Sequence, residues 1–138
     1  MTNKLRIFFR VSFYAYLAAV AVLCFGSFSS LPEVSKTFLG IPTDKVVHFC
    51  MFFPFPILAF LAYDKYTGDR RSVIVFGLIT FLIGCLLAAG TELGQAFLTD
   101  YRTGDSMDFL ADFIALFSGS LIATSIDLLK LRHEKAAS

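Results

Sequence analysis

Six charged residues punctuate the stretch ELGQAFLTDYRTGDSMDFLAD, residues 92–112: Glu92, Asp100, Arg102, Asp105, Asp108 and Asp112. A second polar group, Asp44, Lys45 and His48, lies in DKVVHF. These residue types can carry three kinds of chemistry. His48 and Glu92 are candidate general acids or bases, because an imidazole and a shielded carboxyl can both exchange protons near neutral pH. Lys45 and Arg102 can hold an anionic headgroup, the guanidinium through its planar fork. Carboxylates beside one imidazole can hold a cation, but zinc usually takes more nitrogen or sulfur than His48 supplies, and His133 lies in the opposite tail. Glu92, Asp105 and Asp108 lack the spacing of a dedicated calcium loop, so neither a metal nor a cofactor is expected. No serine or cysteine stands beside His48 to serve as a nucleophile.

Positioning these groups falls to a very apolar chain. Of its 138 residues, 57% are apolar and 17% charged, and the mean hydropathy is +0.71. An ordinary soluble domain is less oily than this. Four segments, at about 7–28, 46–63, 72–98 and 107–129, can each cross a hydrocarbon core about 30 Å thick. The sequence therefore predicts an all-α polytopic membrane protein: a single transmembrane domain over residues 1–138, with four transmembrane helices in a bundle. Pro54 and Pro56 in FFPFP predict a kink or local unwinding in the second span. The basic start MTNKLRIFFR followed by an apolar run has the outline of a signal peptide. Its length, its Phe content and the lack of a clean cleavage site favour a membrane anchor. Cys24, Cys50 and Cys85 stand singly in apolar runs, as core or lipid-facing residues.

Charge asymmetry sets the orientation. Nine basic residues fall on one side of the spans and three, Lys36, Lys45 and Arg102, on the other, whereas seven of the eleven acids share the side of those three. The positive-inside rule predicts cytoplasmic termini and an outward-facing acidic side. No basic block suggests nucleic acid.

Helical rise brings the polar groups to one level. Glu92 lies roughly 31 Å from Arg71, Asp112 about 27 Å from Lys130, and His48 about 24 Å from Asp64. Asp105, Asp108 and Asp112 share a helix face, above Ala115 and Gly119. Gly84, Ala88, Thr91 and Gln95 form a second stripe of small and polar residues. The two stripes are expected to face each other or the bundle interior, since small residues allow close helix approach in lipid. Each polar residue also has a purely structural reading. Asp44 can cap a helix, Lys45 can snorkel, and His48 can bond Asp44. Glu92 and Gln95 can join helices by bonds worth about 1 kcal/mol or less, Arg102 can be a solvated loop cation, and Asp108 and Asp112 can pair with it. Tyr14, Tyr16 and Tyr101 suit an interfacial belt.

The order DKVVHF, ELGQAF, RTGDSMDFLAD across three apolar helices resembles the VanZ-like membrane protein family, from about residue 40 to about residue 125. Asp44, Lys45, His48, Glu92, Gln95, Arg102 and Asp108 match the family pattern, and Asp105 is a looser match. Asp112 stands where Asn is more usual and Ala115 where Gly is usual, while Gly119 matches a later Gly. The resemblance implies a multi-pass protein of the bacterial cytoplasmic (inner) membrane, connected with teicoplanin resistance. On this reading Asp44, Lys45, His48, Glu92, Gln95, Arg102, Asp105, Asp108 and Asp112 line a ligand site for an anionic lipid-linked envelope precursor or a glycopeptide. The partners expected are the lipid bilayer, that ligand and a possible homo-oligomer, without nucleic acid. An intramembrane enzyme acting on a lipid phosphate through His48 or Glu92 is the alternative, as is a flippase. A flippase is disfavoured because the polar groups gather at one level.

Overall fold

The computed structural model describes residues 2–26, 37–63, 68–98 and 105–137. Along the chain these form α1 (Asn3–Phe25), β1 (Thr37–Phe38), β2 (Ile41–Pro42), α2 (Thr43–Phe52), α3 (Pro54–Ala62), α4 (Arg70–Leu98) and α5 (Ser106–Ala137). Because α2 and α3 form one span, Thr43–Ala62, four helices are long and apolar enough to cross a membrane. The protein is an all-α four-helix membrane bundle. Its helices start a few residues earlier than the hydrophobic runs predict, and α1 stops at Phe25 rather than at residue 28.

The break between α2 and α3 has a local cause. Phe53 keeps helical dihedrals (φ −57, ψ −41) and donates to the Phe49 carbonyl at 3.0 Å. Pro54 and Pro56 have no N–H, so the hydrogen-bond ladder lapses there. Neighbouring helices close over the gap. The Tyr16 hydroxyl of α1 donates to the Met51 carbonyl. Gly119 of α5 lies so near that a Cβ at its position would sit 2.6 Å from the Phe53 carbonyl oxygen.

Packing follows helical periodicity. Val73, Gly77, Thr80, Gly84, Ala88, Glu92 and Gln95 form the buried face of α4, three or four residues apart. Leu78, Leu82 and Leu86 point outward. Helix α4 lies along α5, α5 also packs on α2 and α3, and α1 leans on α3. Gly84 faces the bundle interior, against Leu116 of α5 and Phe55 of α3. Gly119 instead faces Phe53 and Pro56, because the proline break needs a neighbour without a side chain. Phe13, Phe52, Phe55, Ala59 and Leu116 fill the centre.

At one end of the bundle Arg10 donates through Nε to the Ala62 carbonyl at 3.2 Å and stacks over Tyr63. Helix α4 starts there, capped by Asp69, whose Oδ1 accepts the Arg71 and Ser72 amides at 2.9 and 3.1 Å. The other end carries an element that the sequence reading lacked. Strands β1 and β2 pair antiparallel through Leu39 and Gly40, with φ of 52 and 80. Positive φ at both central residues is the mark of a type I′ hairpin turn. Leu39 is therefore a bulky residue in a region that usually takes Gly or Asn, and it is 88% exposed.

Candidate functional site

The hairpin end collects most of the polar residues that the sequence singled out. His48 sits on the second turn of α2 and is buried, at 4% exposure. Its Nδ1 faces Asp112 of α5, with Oδ1 at 3.2 Å and Oδ2 at 3.3 Å. Glu92 Oε1 lies 3.6 Å from the same nitrogen, and Asp108 Oδ2 lies 3.7 Å from Nε2. Three helices thus meet on one imidazole.

Lys45, one turn earlier on α2, reaches the N-terminal turn of α5. Its ammonium donates to Asp105 at 2.5 Å, Asp108 at 2.6 Å and Asp44 at 3.0 Å. Asp105 also opens α5, its Oδ1 accepting the Met107 amide at 2.9 Å. Lys45 and that amide hold the Asp105 carboxyl below the usual carboxylate range.

Glu92 divides its two oxygens. Oε2 accepts the Asp105 backbone N–H at 2.9 Å, which ties the end of α4 to the start of α5. Oε1 is buried and meets no hydrogen-bond donor among the described residues. Gln95, a turn further on, leaves this cluster and donates to the Cys24 carbonyl at the end of α1, 3.0 Å away. Arg102, Asp100 and Tyr101 lie outside the described residues.

Charge is lopsided. Among the described residues of the cluster, Asp44, Glu92, Asp105, Asp108 and Asp112 face one ammonium, Lys45, and one imidazole, His48. Lys45 is engaged by three carboxylates, so an anionic group reaching it would meet acids as well. Charged groups at membrane depth need such pairing.

An apolar groove of about 390 Å³ lies beside this cluster, lined by the hairpin, α2 and α5. Phe38, Leu39 and Ile41 of the hairpin, Val46 and Phe49 of α2, and Ala111 and Ile114 of α5 line it. Lys45 is the polar residue in its wall. The sequence reading missed the three hairpin residues, for which Gly40 between short apolar pairs was the available signal. It also passed over Asp127, a buried carboxylate paired with Lys130 at 2.7 Å near the far end of α5. Their three-residue spacing on one helix was the signal there.

Fold and site together define a four-span helical membrane protein with a carboxylate-rich cluster buried at one end and an apolar groove beside it. No protein-family model matches the chain, and neither a curated protein nor a solved structure matches it.

Proposed function

We propose that this is a VanZ-like protein of the bacterial cytoplasmic membrane that binds an amphipathic envelope molecule at its outward-facing end. Both termini are cytoplasmic on this reading, following the nine-to-three split of basic residues. The ligand is a lipid-linked phosphate precursor. Its polar head sits at the cluster of Lys45, His48 and the acids, with Arg102 added from the sequence, and its hydrocarbon chain lies in the groove. The observation that carries this is the position of Lys45, whose stem forms the groove wall and whose ammonium enters the polar cluster. A site with one apolar arm and one charged end suits a molecule built the same way. Binding such a precursor would alter how a glycopeptide meets its target, so the protein is expected to lower teicoplanin susceptibility.

Native mass spectrometry of the protein extracted with its lipids tests the reading. Wild type should retain a polyprenyl-phosphate species. Ala111→Phe, which fills the groove, and Arg102→Ala, which removes a cation, should each cut its occupancy at least tenfold by the logic of a lost anchor. Identical lipid profiles in folded variants would sink it. A bound glycopeptide in place of the lipid would shift the ligand and keep the site.

One observation favours a second reading. The buried His48–Asp112 pair is the arrangement of an oriented general base, and an intramembrane enzyme on the same lipid phosphate could use it. Turnover of a polyprenyl phosphate that His48→Gln abolishes would select the enzyme.

A further inference from the structure

Three residues of the cluster share one pattern: each gives one polar atom to a neighbour and turns the other inward. His48 gives Nδ1 to Asp112. Asp108 gives Oδ1 to Lys45, with Oδ2 toward the His48 ring. Glu92 gives Oε2 to the Asp105 amide and keeps Oε1, which is buried and lacks a donor among the described residues. Glu92 is only 8% exposed. A buried carboxylate oxygen in that position is costly unless something positive meets it.

We infer that His48, Glu92 and Asp108 form a binding site for a first-row divalent cation, with Asp112 positioning the imidazole. One donor atom from each of the three lies within 4.8 Å of the other two, close enough for a single ion to reach all three. The Asp112 contact fixes the tautomer. With the Nδ1 proton held by that carboxylate, Nε2 carries the lone pair that a metal takes, and the carboxylate raises its basicity. One nitrogen among carboxylates suits Mn²⁺ better than Mg²⁺ or Ca²⁺, which take oxygen sets, or Zn²⁺, which takes more nitrogen or sulfur. The neighbouring trio Asp44, Asp105 and Asp108 is also compact. It already surrounds the Lys45 ammonium at 2.5 to 3.0 Å, so a second cation there would have to displace it.

The site stands whether or not a lipid occupies the groove, and its test uses the metal alone. Purified protein in detergent is stripped with a chelator and titrated with Mn²⁺, free ion being read by electron paramagnetic resonance. Wild type should take up one Mn²⁺ per chain, and pulsed spectra should show coupling to an imidazole nitrogen. Glu92→Gln should weaken binding at least tenfold and Asp112→Asn roughly 10- to 100-fold, the range for a lost partner of a ligating His. Asp69→Asn, at the opposite end of the bundle, should leave it within threefold. Folded wild type that binds neither Mn²⁺ nor Zn²⁺ would overturn the proposal. So would bound Mn²⁺ without nitrogen coupling, or an Asp69→Asn loss as large as that of Glu92→Gln.

Discussion

Lys45 shows how far a single residue can be read before its neighbours are known. By sequence it is a cation at a helix start, fit to snorkel or to hold an anion. In the fold it is wedged between carboxylates from 60 and 63 residues further along the chain. Replacing it with methionine would leave Asp105 and Asp108 uncompensated beside each other. The expected result is a lower thermal midpoint in detergent, largely restored by adding Asp105→Asn and Asp108→Asn in the same chain. A Lys45→Met protein as stable as wild type would remove the pairing from the account. The level of His48, Glu92 and Asp112 was legible from helical rise alone, because rise depends only on counting residues. Which acid faces which base was not, since that depends on helix rotation and on the path between α4 and α5. His48 illustrates the limit: its predicted partner was Asp44, one turn away, whereas its observed partner is Asp112 on another helix.

Among the elements, the second span and α4 make separable predictions. Gly119→Ala would push a methyl group into the Phe53 carbonyl and Pro56, and overpacking of this kind costs roughly 1 to 3 kcal/mol. Gly90, on the same bundle, has open space where a Cβ would go. Gly90→Ala should therefore stabilise, by about 0.5 to 1 kcal/mol from helix propensity. Thermal unfolding of the two variants checks the contrast, and equal effects would contradict the close approach at the proline break. The cap of α4 predicts a pH dependence. Ser72 and the Arg71 amide hold the Asp69 carboxyl below its ordinary value. Its folded pKa being depressed, the stabilisation is complete above the unfolded value of about 3.9 and is lost as pH falls through the folded one. Amide exchange at Arg71–Val73 should quicken across that acid window in wild type and be fast throughout in Asp69→Ala. FFPFP announced its break in the sequence, since proline lacks the donor wherever it stands. The hairpin did not announce itself: its turn puts Leu39, rather than Asn or Asp, at positive φ, so the usual signal was missing.

On the scale of the whole molecule, the four-span architecture was legible because apolar length is a property of composition, and bilayer thickness sets how much of it is needed. The second span is the shortest in the apolar runs as well as in the fold, whereas the fourth helix runs further than its apolar run, which ends near residue 129. The helices that cross run to 23, 20, 28 and 31 residues, the second being the shortest and the one that carries Lys45 and His48. At 1.5 Å per residue that span is about 30 Å long and the fourth about 46 Å. A membrane thicker than the short span would draw the polar head of α2 inward, while α4 and α5 could adapt by changing tilt. The proline break near the middle of Thr43–Ala62 gives the short span no length to spare. Bilayer thickness would then act as a mechanical load on the cluster. Such a protein would accumulate in thinner regions of its membrane, and reconstitution across a series of acyl-chain lengths should show stability falling on the thick side of a narrow optimum.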